Sequence, residues 1–163
     1  MKRTLVFLLA LCTLAACGTS TPSSTEQTDG QLATNVSIFS SKENQKEWVL
    51  QANSVNFENM QHAELKNPRL FLKQNGQDSA TVSGDRGTFN YDTQQVSIEG
   101  NARLESLTEK ALITASQFFY DIAKDKIWSD TRTVITRGTA KSIAKNGVET
   151  DSKLKRIVDR KSV

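Results

Sequence analysis

The sequence predicts an all-β domain, a sandwich or an open barrel that is built by successive antiparallel hairpins. Apolar and polar residues alternate from Lys42 onward, beginning with Trp48 and Leu50, and this pattern is typical of half-buried strands. Clusters of Gly, Asn and Asp, such as "KQNG" at residues 73–76, separate these runs and suit tight reversals. Helical periodicity is limited to a weak possibility at residues 59–65.

A short phrase occurs three times along the chain. "FNYD" at residues 89–92 returns as "FFYD" at residues 118–121 and, more weakly, as "VNFE" at residues 55–58. Each copy begins or ends an alternating run, so the repeat unit is predicted to be a pair of strands joined by an acidic turn. The acid that ends each copy is expected to start the turn, because a short carboxylate side chain can cap backbone N–H groups that follow it.

The N-terminus has the layout of a secretory signal: Lys2 and Arg3 are basic, residues 5–14 are apolar, and "LAAC" ends at Cys17. The apolar run is too short to cross a bilayer, which takes roughly 17 to 25 residues. Because "LAAC" resembles the lipobox of bacterial lipoproteins, we expect residues 1–16 to be a lipoprotein signal peptide and Cys17 to carry lipid. The alternative is an ordinary cleaved signal with an incidental cysteine.

The rest of the chain is predicted to hold a tether and one domain. Residues 17–41 are predicted to be the lipidated cysteine and a flexible tether, because they are rich in Ser, Thr, Gln and Gly and show little apolar periodicity. Residues 42–163 are predicted to form the β-domain. The chain that follows the signal is long enough for one domain with a hydrophobic core.

The predicted mature chain has nearly balanced charge. Without Lys2 and Arg3, 19 of the 21 Lys and Arg residues remain, against 18 Asp and Glu residues. This balance argues against a nucleic-acid-binding protein. A basic cluster near the C-terminus is the exception, and it indicates either a solvated strand face or a contact with anionic lipid headgroups or a partner's acidic rim. The cluster consists of Lys153, Lys155, Arg156, Arg160 and Lys161.

Candidate catalytic and metal-binding groups are sparse. His62 is the only histidine and Cys12 falls in the predicted signal peptide, so no common zinc site, histidine triad or thiol nucleophile is expected. "SGDRG" at residues 83–87 lacks the spacing of a phosphate loop or a nucleophile elbow and is predicted to be a hairpin turn. We predict no enzyme, no cofactor and no metal; a carbohydrate hydrolase that uses Asp92 or Asp121 is the enzymatic alternative.

Many of the predicted strands share one apolar face. Two interpretations of this face stay open, because periodicity does not separate them: it packs a closed core, or part of it lines a groove for an extended apolar ligand. The candidate groove residues are Trp48, Leu50, Val55, Phe57, Leu70, Leu72, Phe89, Tyr91, Val96, Ile98, Leu104, Phe118, Tyr120 and Trp128.

Several stretches resemble the LptC family and its relatives with the OstA-like repeat. They are "ATVSGDRGTFNYDTQQVSIEGNARL" at residues 80–104, "ITASQFFYD" at residues 113–121 and "KIWSDTRTVIT" at residues 126–136. The ending "GVETD" at residues 147–151 is similar to the C-terminal signature of that family. One departure is Lys145, where the family often has a second glycine, and another is the predicted lipid anchor, where many members have an uncleaved membrane helix.

The resemblance implies an open β-jellyroll and a periplasmic role in lipopolysaccharide export, without chemistry of its own. Such a protein would receive lipopolysaccharide from an inner-membrane ABC transporter complex and pass it to a periplasmic OstA-like bridge protein that adds at an edge strand. The alternative is a structural envelope lipoprotein whose filled β-sandwich core braces other proteins. The family implies the inner membrane, whereas Gly18 after the lipidated cysteine favours the outer membrane.

Overall fold

The computed structural model describes residues 31–42, 45–59 and 61–160. Within these ranges the chain forms thirteen strands: β1 (Gln31–Lys42), β2 (Gln45–Phe57), β3 (His62–Lys66), β4 (Arg69–Gln74), β5 (Gln77–Ser83), β6 (Arg86–Asn90), β7 (Gln95–Ser106), β8 (Ala111–Asp121), β9 (Lys126–Ser129), β10 (Thr133–Arg137), β11 (Ala140–Ala144), β12 (Val148–Thr150) and β13 (Val158–Asp159). The described part holds no helix that is long and apolar enough to cross a membrane. The prediction of an all-β antiparallel fold is confirmed.

All strand pairs belong to one antiparallel sheet in which the chain runs back and forth. Strand β2 pairs with β4 through residues 48–51 and with β3 through residues 54–57. In the same way β7 pairs with β6 through residues 95–99 and with β5 through residues 103–106. The short strands β3 and β4 therefore continue one another along β2, as β5 and β6 do along β7, and the sheet is a meander of long strands.

A line of irregular residues crosses the sheet at the middle of the long strands, and we call it the crease. It includes Asn67, Asp85, Gly100 and Asn101. The β7–β8 register shifts there, where Gly100 and Asn101 have positive φ angles of 73° and 52°. The backbone N–H of Asp85 donates to the carbonyl oxygens of Glu99 at 3.0 Å and Gly100 at 2.9 Å, and its carboxylate accepts a hydrogen bond from Asn101 Nδ2 at 2.8 Å. The Asp85 backbone carbonyl accepts a further hydrogen bond from the N–H of Asn67 at 2.8 Å. Asp85 thus joins three neighbouring strands at the crease.

The prediction that "SGDRG" at residues 83–87 is a hairpin turn was wrong. Strands β5 and β6, on either side of it, do not pair with each other; each pairs with a different half of β7. The chain keeps its direction through this segment and only crosses the crease. Gly and Asp suit such a crossing as well as a reversal, which is why composition alone misled.

The crease divides the sheet into two layers that face each other. Layer A contains β4, β5, β10, β11 and the adjoining halves of the long strands, and layer B contains β3, β6, β9, β12, β13 and the other halves. Trp48 of layer A contacts Phe89 of layer B, with ring centroids 6.1 Å apart. The hairpin turns at the far ends of the two layers, away from the crease, form what we call the lip. They include residues 75–76, 107–110 and 138–139 in layer A and residues 91–94 and 122–125 in layer B. Alternation buries the inner face of both layers in one continuous core.

The repeated phrases mark the hairpins of layer B. The copies at residues 55–58, 89–92 and 118–121 lead into the hairpins β2–β3, β6–β7 and β8–β9. After each of these hairpins the chain crosses the crease and makes a hairpin in layer A. The predicted unit of two strands joined by a turn is therefore present in all three copies.

The predicted tether extends too far toward the C-terminus. Strand β1 pairs with β2 from Gln31 opposite Phe57 to Lys42 opposite Gln45, so residues 31–41 form an edge strand. Val36 and Ile38 pack against the core and supply the alternation that the Ser- and Thr-rich composition obscured. The predicted signal peptide, Cys17 and the first part of the predicted tether lie outside the described residues.

Candidate functional site

The inner face of the creased sheet brings together most of the predicted groove residues. Eleven of the fourteen are buried in the shared core. These eleven are Trp48, Leu50, Val55, Leu70, Leu72, Phe89, Val96, Ile98, Leu104, Phe118 and Tyr120. Phe57 and Tyr91 are half-buried and pack against the same core. Between the layers these side chains fill the interior in the described part of the chain.

Aromatic side chains join the two layers at the lip. Trp48 meets Phe89 edge to face at an interplanar angle of 62°, and Phe89 meets Tyr91 at 4.5 Å and 65°. The indole Nε1 of Trp48 is buried and has no hydrogen-bond partner among the described residues. A buried donor without an acceptor costs about 1 to 3 kcal/mol. This N–H could therefore donate to an oxygen of a ligand that enters between the layers.

The assignment of Trp128 to this face was wrong. Trp128 pairs with Phe119 on the outer face of layer B, where their rings stack 5.2 Å apart at 22° and Lys126 lies 5.8 Å from the indole. The inner position opposite Tyr120 is held by Ile127, which is fully buried. Pairing the strands across the four-residue turn at residues 122–125 would have placed Ile127 opposite Tyr120, whereas a period of two counted straight on from Tyr120 selects Trp128.

The inner face also contains apolar residues that were not among the predicted groove residues. They lie on β2, β3, β5, β7, β8, β9, β11 and β12 and in the segment that follows β12. Small side chains among them gave a weak signal, because alanine is common on either face of a strand. These residues are Ala52, Ala63, Leu65, Ala80, Val82, Ala102, Ile113, Ile127, Ala144, Val148 and Leu154.

The comparison with protein families agrees with this geometry. A family model described as "Lipopolysaccharide-assembly, LptC-related" matches residues 4–158, nearly the whole chain. The chain belongs to this family. No curated protein matches it. The LptC family is a non-enzymatic component of lipopolysaccharide transport that is associated with the membrane and faces the periplasm.

The C-terminal part of the LptC match is held together at Gly147. This glycine is the last residue of the crossing from layer A to β12, and its φ angle is +87°. A Cβ atom at this position would lie 1.8 Å from the backbone oxygen of Ser129 on β9. The close approach lets β12 pair with β9, and it explains why the family-like phrase "GVETD" starts with a glycine.

The segment after β12 is anchored to layer B. Asp125, in the β8–β9 turn, accepts hydrogen bonds at Oδ1 from the Tyr120 hydroxyl at 3.4 Å and from the backbone N–H of Ser152 at 3.2 Å. Burial, and then the nearby Asp125 carboxylate, raise the pKa of Tyr120, so its hydroxyl remains a donor at neutral pH. Leu154 is buried in the core, and Arg160 forms an ion pair with Asp130 at 2.8 Å.

Of the acids that end the repeats, Asp121 caps a turn as expected. Its Oδ1 accepts a hydrogen bond from the backbone N–H of Lys124 at 3.0 Å, and its Oδ2 lies 2.8 Å from Lys124 Nζ. For the other two copies an asparagine within the phrase or directly after it has this role. Asn90 accepts from the N–H of Thr93 at 2.9 Å, and Asn59 accepts from two N–H groups after it.

We expect Asp121→Asn to lower the free energy of unfolding by about 1 kcal/mol at pH 7, because it removes a partly exposed ion pair but keeps an oxygen for the cap. Hydrogen bonds from Lys124 hold the pKa of Asp121 below its ordinary value. The stabilisation is therefore present above the unfolded pKa of about 3.9 and is lost as the pH falls through the lower folded pKa. Urea unfolding at a series of pH values down to strong acid should show the difference between the two proteins closing.

Asp92→Asn provides the matched control, since Asp92 is exposed at the equivalent repeat position and Asn90 caps that turn. Its effect should stay within about 0.5 kcal/mol at every pH. Equal losses for the two variants would show that Asp121 has no special role.

His62, the only histidine of the chain, lies on β3. Its Nε2 is 2.9 Å from Asn90 Nδ2 on β6, and its backbone N–H donates to Asn59. The side chain therefore links two paired strands of layer B. Among the described residues no group of three or more His, Cys, Asp or Glu side chains is placed to hold a metal ion.

Proposed function

We propose that this chain binds the acyl chains of lipopolysaccharide between layers A and B and passes the lipid from an inner-membrane ABC transporter towards the outer membrane. The observation that carries this proposal is how the layers are joined. Covalent continuity and backbone hydrogen bonds link them at the crease, whereas described residues at the lip meet only through side chains such as Trp48 and Phe89. The layers can therefore part at the lip without breaking strand pairing.

The chemistry of the inner face suits an acyl chain. Opening the lip would expose a continuous apolar surface, and an acyl chain would cover it again, so burial of apolar area would offset the cost of opening. Trp48 Nε1, which has no acceptor among the residues that the structure describes, is available to an ester, amide or hydroxyl oxygen of the lipid. Sugars of the ligand would stay in water outside the lip.

The ends of the sheet suit the proposed partners. Among the described residues β11 pairs only with β10, so its outer edge carries no further strand there. A free edge can accept a strand of a similar β-fold, which is how a periplasmic OstA-like bridge protein would extend the inner face. The lipid on Cys17 would hold the chain at a membrane, and fractionation would distinguish the inner from the outer membrane.

The test is a photoreactive amino acid at Phe89, on the inner face, in cells with an active export system. We expect it to capture lipopolysaccharide after irradiation, because an acyl chain entering at the lip passes this side chain. The same residue at Phe119, on the outer face of layer B, is the matched control and should capture little. Capture at neither position, or equal capture at both, would overturn the proposal.

The structural alternative has one observation in its favour, which is that the interior is filled. Eleven predicted groove residues are buried as in an ordinary sandwich core. A bracing lipoprotein with a closed core would show no capture at Phe89 while it still bound its envelope partners. The crosslinking experiment therefore separates the two functions.

A further inference from the structure

A groove opens at the C-terminal end of the lip, between layer A and the segment after β12. It has a volume of about 440 Å³ and lies between the β10–β11 hairpin and residues 155–157. Its apolar surface includes Ile135 and Ile157, and both side chains also pack against the core. The groove is therefore continuous with the inner face that the proposed acyl chains would occupy.

Four basic side chains surround this groove. Arg137 and Lys141 come from the β10–β11 hairpin, and Lys155 and Arg156 come from the segment opposite. None of the four forms an ion pair within the described residues, whereas Lys126 on β9 pairs with Glu149 at 2.8 Å. All four are exposed. Part of the C-terminal basic cluster thus faces layer A across an apolar groove.

The two sides of the groove are held in place by different means. Arg137 lies in strand β10, which pairs with β8 on one side and β11 on the other. Lys155 and Arg156 directly follow Leu154, which is buried. The same segment is also held at Ser152, whose backbone N–H donates to Asp125. The positive charges therefore face one another across a gap that the backbone keeps open. Like charges at close range repel, and a bound anion would remove that repulsion.

We propose that this groove binds the phosphate-bearing head of an amphipathic lipid. Phosphate oxygens would contact Arg137 and Arg156, whose planar guanidinium groups suit bidentate contact, with Lys141 and Lys155 as further cations. The first methylene groups of the acyl chains would lie against Ile135 and Ile157. The inference rests on the proposed function, because the lipid it names is the phosphorylated lipid portion of lipopolysaccharide, lipid A. It places the phosphates at one end of the lip and so orients the lipid.

The test compares lipid A that carries both phosphates with the same lipid after both phosphates are removed. Binding of each lipid in detergent is measured for the unaltered protein, for Arg137→Gln/Arg156→Gln, and for Lys66→Gln/Arg69→Gln. The control pair also removes two exposed charges, but from positions outside the groove. Loss of two charge-assisted contacts should weaken binding of the phosphorylated lipid roughly tenfold. Binding of the dephosphorylated lipid should be unchanged, and the control pair should bind both lipids normally.

Several outcomes would overturn the inference. Equal weakening for both lipids, or equal weakening by both double variants, would show that phosphate is not held in this groove. Inorganic phosphate alone should compete poorly because it lacks the apolar part, and strong competition would contradict the lipid assignment. Binding to phosphatidylglycerol vesicles is measured for the same variants. If it depends on Arg137 and Arg156 as strongly as binding to lipid A does, the groove binds a membrane surface instead.

The groove inference and the proposed acyl-chain binding can fail independently of each other. Capture of lipopolysaccharide at Phe89 together with no phosphate dependence would reject the groove inference and leave the acyl-chain proposal standing. No capture at Phe89 together with phosphate-dependent binding at the groove would reject transport between the layers. Circular dichroism of each variant confirms folding, since all four replaced side chains are exposed.

Discussion

Replacing Gly147 by alanine should lower the free energy of unfolding by about 3 to 5 kcal/mol. Two costs combine. An L-residue is strained at a φ angle of +87°, and the new Cβ would lie 1.8 Å from the backbone oxygen of Ser129 and 2.6 Å from its carbonyl carbon. A backbone atom cannot rotate away as a side chain can, so β12 would have to separate from β9. Urea unfolding, followed by circular dichroism, measures the loss.

Gly138→Ala is the matched control for this prediction. Gly138, in the β10–β11 turn, also has a positive φ angle, +56°, but a Cβ there would meet no atom within 4 Å. Only the backbone strain remains, so we expect a loss of about 1 to 2 kcal/mol. If both alanine variants lost the same stability, the close approach of β12 to β9 would be refuted as the reason for the glycine.

Phe118→Ala should lower the free energy of unfolding by a similar amount, about 3 to 5 kcal/mol. Phe118 is 1% exposed and lies opposite Ile98 on the inner face of layer B. Truncation would remove a large apolar side chain from the core and leave a cavity that the strands on either side cannot fill by moving together. The unfolding midpoint in urea should fall while the slope of the transition stays the same.

The next residue provides the control, because Phe119 points to the outer face. It is half-buried and stacks on Trp128, so Phe119→Ala should cost about 1 kcal/mol. A loss below about 1 kcal/mol for Phe118→Ala would show that its surroundings are loosely packed in the lipid-free protein. That result would favour an inner face that stands open before lipid binds.

Much of the fold could be predicted from the chain because the signals are local. A period of two determines which residues share a strand face, and Gly, Asn and Asp mark where strands end. The repeated phrases identified the hairpins β2–β3, β6–β7 and β8–β9 of layer B. The errors occurred where a local signal had two meanings. Serine and threonine in β1 suited a tether as well as an edge strand, and the adjacent Ile127 and Trp128 left the face of β9 ambiguous until its register was known.

The shared apolar face was predicted to a similar extent. Thirteen of the fourteen groove candidates lie on or against the shared core, since a strand must place alternate apolar residues on one face. The missing part was the lip. Its aromatic contact joins Trp48 to Phe89 across forty-one positions of sequence, and its basic groove joins Arg137 to the segment at residues 155–157. Such pairs depend on how the sheet folds over, which no local pattern encodes.

The amino-acid sequence by itself determined the strands, the hairpins of layer B, the apolar face and the resemblance to the LptC family. Only the tertiary structure decided which Gly, Asn and Asp residues reverse the chain and which carry it across the crease. Asp85 and Asp121 show the difference: one joins three strands in mid-sheet, and the other caps a hairpin. The physical reason is that both tasks need the same short polar side chain, and the choice between them depends on which strands lie beside it.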